Sequence, residues 1–338
     1  MRRPTMEDVA ARAGVSRALV SLVMRESPRV SAGRRAAVLL AAEELGYSPH
    51  LHARQLASGT STVLAVLASD LHNPYFAEIV QSIDAAARDQ GFQVIIGTGA
   101  RRPVGERESV RTLMSFRPAG LVLLSPVVPA SVLAAAAGNG PVVAVERAVR
   151  LPGVDTINDD GRVGAGLAVD HLVSLGHTGI VHLDGGRGAQ AATRRRGYTE
   201  AMLRHGLAPW VEPSEYTEDA GAAAARRLLA QHRPFTGVVA ANDVNAIGAI
   251  AALEDAGLRV PDDVGVVGYD NTFLAGLRHV GLTTVDQPRA QMGRLAVDLV
   301  LQRLREGRTT PVRLLLHPSL VVRRSTAAVA AGAGAVAG

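Results

Sequence analysis

Apolar positions in the first sixty residues recur at helical spacing in short bursts. Thr5 is a good N-cap with Asp8 three positions on, and Val9, Ala10 and Ala13 supply an apolar side before Gly14, which predicts one short helix. Ser16 caps a second, along which Leu19, Val20 and Val23 recur after a turn of only Ala13-Gly14-Val15. Two short helices joined by a glycine-containing turn make a helix-turn-helix. Ser31 opens a third helix, with Val38, Leu39, Ala42 and Leu45 expected inward and Gly46 as its stop.

From about residue 61 the pattern changes to apolar runs of strand length alternating with helices. Val63 to Leu67, Val94 to Ile96, Leu121 to Leu124 and Val142 to Val145 are the runs, and Tyr75 to Gln90 reads as a helix with Ile79, Ile83, Ala86 and Ala87 inward. The plan repeats with strands at 179–183, 237–240 and 264–267 and helices near 161–175, 190–205, 219–231 and 243–256. Such alternation predicts parallel, doubly wound sheets. The expected fold class is a small all-α helix-turn-helix head followed by an α/β domain of two doubly wound parallel-sheet lobes. Ligands of open α/β sheets bind outside the carboxyl ends of strands, so a cleft between the lobes is the expected site. A helix near 288–306 and the run Val312 to Leu316 are expected to return to the first lobe.

Composition narrows the chemistry. The chain has 338 residues and no cysteine, which suits two or three folding units and excludes thiolate nucleophiles, disulfides and cysteine-bound zinc. Neither a signal-like apolar core nor a stretch of membrane-spanning length is seen, so a cytoplasmic protein without membrane contact is expected. Of the formal charge of +5, most lies in residues 1–60, where nine arginines face five acids. A basic head on a near-neutral body is the layout of a chain whose one end meets a polyanion. All 36 basic residues are arginine, so phosphate contacts fall to arginine, histidine, hydroxyls and backbone amides.

In a helix-turn-helix the second helix enters the major groove, which brings Ser16, Arg17 and Ala18 closest to base edges. Arg17 is the side chain there capable of a bidentate contact to guanine. Short helix pairs also occur in plain bundles; position and basic excess favour DNA.

The segments Thr5 to Ala10, Ala13 to Ser16, Val20-Ser21, Ser27 to Ser31, Glu44 to Pro49 and Ala53 to Ala57 closely resemble the head and hinge of the lactose/galactose-repressor family. The resemblance implies that the hinge becomes helical on the operator and that Leu56 wedges into the minor groove, bending the duplex. It also implies the DNA-contacting set Thr5, Ser16, Arg17, Ala18, Ser21, Leu22, Ser31, Arg34, Ala53 and Leu56. Leu22 departs from the arginine common at that position, so a different operator preference is expected.

The resemblance continues through Ser69 to Phe76, Arg194 to Tyr198, Ala241 to Asp243, Gly268 to Asn271 and Leu282 to Pro288, and so nearly to Arg324. It implies a periplasmic-binding-protein-like domain with Asp70, Phe76, Arg194, Asn242 and Asp270 at the ligand, joined by Glu146 and Tyr216. Carboxylate, guanidinium and amide beside aromatic faces suit a polyhydroxylated ring, a sugar or its phosphate. Asn242 would equally serve as a helix cap and Asp70 as a turn residue.

The implied domains are a head over 1–49, a hinge over 50–60, and a two-lobed unit over 61–325. Lobe 1 takes about 61–157 and 288–325, lobe 2 about 158–287, and the Ala/Gly-rich tail 326–338 is expected to be disordered. The expectation is a regulator, with a homodimer, operator DNA and a small effector as partners and no cofactor, metal or catalysis. Gly97-Thr98-Gly99 and Gly185-Gly186-Arg187-Gly188 complete neither a dinucleotide fingerprint nor a P-loop. The rival is a sugar receptor that binds no DNA, for which residues 1–60 would have no use.

Overall fold

The computed structural model describes residues 4–25, 27–47 and 61–329. It divides into two units, one up to Thr62 and one from Val63 onward. The hinge residues Ala53 and Leu56, and positions 330–338, lie outside the described residues.

In the smaller unit, α1 (Met6–Ala13) starts at a reciprocal cap: the Asp8 N–H donates to the Thr5 hydroxyl, and the Thr5 N–H donates to the Asp8 carboxylate at 2.8 Å. Gly14 ends it in the left-handed region, φ 64°. The Ser16 hydroxyl accepts the Leu19 N–H at 3.2 Å and so starts α2 (Arg17–Met24). Ser31 precedes α3 (Ala32–Glu44) without a side-chain cap. Val9, Val20, Val23, Val38, Ala41 and Ala42 close a small core. Leu39, expected inward, is 49% exposed. From Val38 the buried stripe steps three and four residues on, to Ala41 and Ala42, which turns Leu39 about 100° away from the core.

The larger unit holds two six-stranded sheets. The first has the order β11-β5-β4-β3-β1-β2, parallel throughout, from β1 (Val63–Ala68), β2 (Gln93–Thr98), β3 (Gly120–Leu124), β4 (Val142–Val145), β5 (Val154–Asp159) and β11 (Arg313–Leu316). The second has the order β12-β10-β9-β8-β6-β7, from β6 (Ile180–Leu183), β7 (Val211–Glu212), β8 (Gly237–Val239), β9 (Gly265–Asp270), β10 (Thr283–Asp286) and β12 (Ser319–Val321). Its pairings are parallel except β10 with β12. Apolar clusters cover both faces of each sheet, which is why the central strands are continuous apolar runs rather than alternating ones.

Helices α4 (Pro74–Asp89), α5 (Pro103–Ser115), α6 (Ala130–Ala137) and α11 (Arg289–Glu306) belong to the first sheet. Helices α7 (Gly161–Ser174), α8 (Ala191–Arg204), α9 (Glu218–Ala230) and α10 (Asp243–Asp255) belong to the second. The chain changes sheet after β5, after β10 and after β11. The last change corrects the expectation that 288–325 lies wholly in lobe 1. β12 pairs with β10, and the Ser325 hydroxyl accepts the Thr283 N–H and donates to Val266 O, which fastens this segment to the edge of the second sheet. Residues 326–329, expected to be disordered, pack at the C-terminal end of α7: the Val329 N–H reaches Leu175 O at 3.0 Å, and the Thr326 hydroxyl lies 2.9 Å from His171 Nε2. Hydrogen bonds to the end of this helix and to His177 hold the segment despite its composition.

Candidate functional site: a cavity at the strand ends and an exposed helix face

The carboxyl ends of strands from both sheets converge on a small cavity of about 40 Å³. Ser69 follows β1, Ser125 and Val127 follow β3, and Glu146 follows β4; Arg194 stands on α8, Tyr216 follows β7, Asn242 follows β8 and Asp270 ends β9. The backbone is strained around the same rim. Arg101 (φ 56°), Ser125 (47°), Glu146 (58°), Gln190 (62°) and Asp270 (113°) are non-glycine residues in the left-handed half of conformational space. Such residues persist where the surroundings over-determine them, and they cluster at binding sites.

Arg194 is the centre of the cavity's electrostatics and is 5% exposed. Its Nη1 donates to Ala241 O at 2.8 Å, and its guanidinium lies 3.7 Å from the Tyr269 ring centroid and 5.6 Å from that of Tyr216. Two carboxylates face it without bonding it: Asp270 Oδ1 is 3.8 Å from Nη1 and Glu146 Oε2 is 4.0 Å from Nη2. Its Nε has no partner, nor has Asp159 Oδ1, although both are buried. Buried polar atoms left unmatched are expensive.

The carboxylates are themselves held. The Gln287 amide donates to Asp270 Oδ1 at 2.5 Å, and Tyr75 donates to Gln287 Oε1 at 3.0 Å. Glu146 Oε1 accepts the Asp159 N–H at 2.9 Å, and Tyr269 donates its hydroxyl to the Asp159 carboxylate. Burial pushes the Asp270 carboxyl up to about 7, with Arg194 opposing and Asp243 reinforcing the shift. Burial also raises Glu146, and the charge on Asp159 adds to it.

Phe76, Glu146, Arg194, Tyr216, Asn242 and Asp270 thus meet on one cavity. Asp70 does not line it; its carboxylate accepts the His72 N–H at 2.8 Å in the turn that leads into α4. Asn242 lines the cavity, and its side chain also caps α10 through the Asn245 N–H at 2.9 Å. Tyr75, Asp159, Tyr269 and Gln287 were not foreseen. Tyr75, Tyr269 and Gln287 fall inside the family-like segments without being singled out there, and the partners of the two tyrosines lie more than a hundred residues away.

In the smaller unit α2 turns Val20, Val23 and Met24 inward and exposes Arg17, Ala18, Leu22 and Arg25, with Ser21 half-buried. Arg17 Nε lies 2.9 Å from Glu7 Oε1 on α1. Ser16 and Ser31 are exposed, Arg34 is exposed on α3, and Thr5 is half-buried in its cap. Among the described residues no group of acids and histidines could hold a metal, and no helix is long and apolar enough to cross a membrane.

Comparison with known proteins agrees with this layout. The model of bacterial regulatory proteins, lacI family, matches residues 5–50, and that of the periplasmic binding protein-like domain matches residues 169–326. The chain is 34% identical to the transcriptional regulator GalR of Escherichia coli over 95% of each chain. It is 34% identical to CelR of Thermobifida fusca, over 96% of this chain and 98% of the relative. Among solved structures, the lac repressor dimer bound to operator and the anti-inducer ONPF is similar at 31% identity and TM-score 0.84, covering 97% of this chain and all of that one. A CelR–cellobiose complex is similar at 34% identity and TM-score 0.72, covering 96% and 100%. With a three-helix head, two parallel-sheet lobes and relatives matched along nearly their whole length, this chain belongs to the lacI family of bacterial regulatory proteins.

Proposed function

We propose that this protein is a transcriptional repressor that binds operator DNA as a homodimer and changes its operator affinity when a sugar or sugar phosphate occupies the cavity between its two sheets. The observation that carries the effector is Arg194 flanked by Asp270 and Glu146 at 3.8 and 4.0 Å. Hydroxyl groups both donate and accept, so a ring bearing several of them can bridge the guanidinium and the carboxylates at once. Phe76 and Tyr216 supply faces for the apolar side of such a ring. The cellobiose complex of CelR supports a carbohydrate, and the operator-bound lac repressor dimer supports two heads on a palindrome. In this reading Ser16, Arg17, Ala18, Ser21 and Leu22 meet the bases, while Thr5, Ser31 and Arg34 meet the backbone. Ligand and DNA are linked because the effector favours one arrangement of the lobes, which shifts the population of DNA-competent heads.

The melting temperature of the full chain against a panel of sugars and sugar phosphates tests the cavity. A ligand present at 100 times its Kd adds about 2.7 kcal/mol. One member of the panel should raise the melting temperature, and Asp270→Ala should abolish that rise. A shift that survives Asp270→Ala would place the sugar elsewhere, and a flat panel would rule out this effector class.

A further inference from the structure

The outward face of α2 carries two apolar side chains at its centre, with the half-buried Ser21 hydroxyl between them. Leu22 is 39% exposed there, and Ala18, one turn earlier on the same face, is exposed beside it. The cations lie at the two ends: Arg25 closes the helix, and Arg17 at the start is already paired with Glu7 at 2.9 Å. A helix laid into the major groove with this face inward would set two methyl-bearing side chains about 5–6 Å apart against the base edges, with charge kept for the flanks.

We infer that Leu22, assisted by Ala18, reads the 5-methyl group of thymine, so that each operator half-site carries an A·T pair opposite Leu22. This rests on the proposal that α2 enters the major groove. The discrimination has an attractive and a repulsive part. A thymine methyl buries apolar surface against the leucine, whereas a cytosine at the same place would turn its 4-amino donor toward a side chain that cannot accept, and would lose its water. Leu22 thereby acts as a specificity-determining residue through shape and dryness.

The test uses the full chain and one atom group of DNA. A half-site is first selected from a random duplex library, and the thymines facing α2 are then replaced by deoxyuridine, which removes the methyl and nothing else. At about 0.8 kcal/mol per buried methyl group, the wild-type protein should bind about fourfold more weakly per substituted half-site. Leu22→Ala should bind both duplexes alike, and Leu22→Gln should keep binding DNA while no longer distinguishing them. Equal wild-type affinity for the two duplexes, or G·C at every pair facing α2 in the selected site, would overturn the inference while leaving operator binding intact. Failure to enrich any sequence would overturn the DNA-binding proposal, and this inference with it.

Discussion

Asp270 and Arg194 face each other across 3.8 Å, outside hydrogen-bond reach and well inside the range of their charges. A ligand hydroxyl that inserts between them donates to the one and accepts from the other. Both partners are prepositioned, Asp270 by Gln287 and Arg194 by Ala241 O and the Tyr269 ring. Little ordering remains to oppose binding.

Arg194→Lys keeps the charge and loses the planar fork, together with its stacking on Tyr269. Hydrogen bonds to charged groups contribute about 1.5–3 kcal/mol, so sugar affinity should fall roughly 10- to 100-fold. Calorimetric titration reads this directly. Unchanged affinity would show that the ligand does not use the guanidinium.

The raised carboxyl of Asp270 has a consequence for stability. Its folded value, about 7, lies above the value of about 3.9 for an unfolded chain. Between those two pH values the native state binds more protons than the unfolded one, so this group lowers stability as pH rises and contributes no further change above the upper value. Asp270→Asn should therefore melt higher than wild type at pH 8, by about 2–4 °C for each kcal/mol relieved, and alike near pH 4. A difference independent of pH would contradict the assignment.

Asp155 has the opposite sign. It is fully buried on β5 and bonds Arg303 Nε and Arg308 Nη2, each at 2.7 Å, and the Val312 N–H at 2.8 Å. Burial alone would raise its carboxyl, but the bonds from Arg303 and Arg308 outweigh that and hold it below the ordinary value. Its stabilisation is present above the unfolded value of about 3.9 and is lost as pH falls through the folded one. Asp155→Ala strands two guanidinium groups and should cost about 3–5 kcal/mol in urea unfolding at pH 7, with a flatter acid limb. A loss below about 1 kcal/mol would show that the cluster is solvent-screened.

On DNA, Arg17 and Arg34 should behave differently. Arg17→Ala should relax preference at one base pair per half-site by about 1–3 kcal/mol, whereas Arg34→Ala should weaken all sequences alike and reduce the salt slope by about one. Glu7→Ala, which frees Arg17 from its pair, should sharpen that same preference. Identical binding profiles for both arginine variants on a half-site library would remove the distinction.

The strands whose two faces are covered could be read from the chain because burial on both sides leaves an unbroken apolar run, as in Val63 to Ala68. Two of the strands at the sheet crossings could not. β5 carries Asp155, Asn158 and Asp159, and β10 carries Thr283 and Thr284, polar residues whose partners are distant in sequence. The cavity was legible in part, since the family resemblance points to Glu146, Arg194 and Asp270, and the first and last of these sit at the carboxyl ends of β4 and β9. Asp70 also follows a strand, but its carboxylate is held two residues on by the His72 N–H. The Tyr75–Gln287 and Tyr269–Asp159 bonds depend on how the two sheets approach each other, which no local spacing encodes.

One titration reads the coupling between sugar and operator directly. Fluorescence anisotropy of the selected operator is followed with the full chain, with and without a saturating concentration of the sugar that raises its melting temperature. The operator Kd should change by about 5- to 150-fold, and by linkage operator DNA should change the sugar Kd by the same factor. Asp270→Ala should bind the operator and ignore the sugar. The same operator Kd with and without saturating sugar would contradict the account.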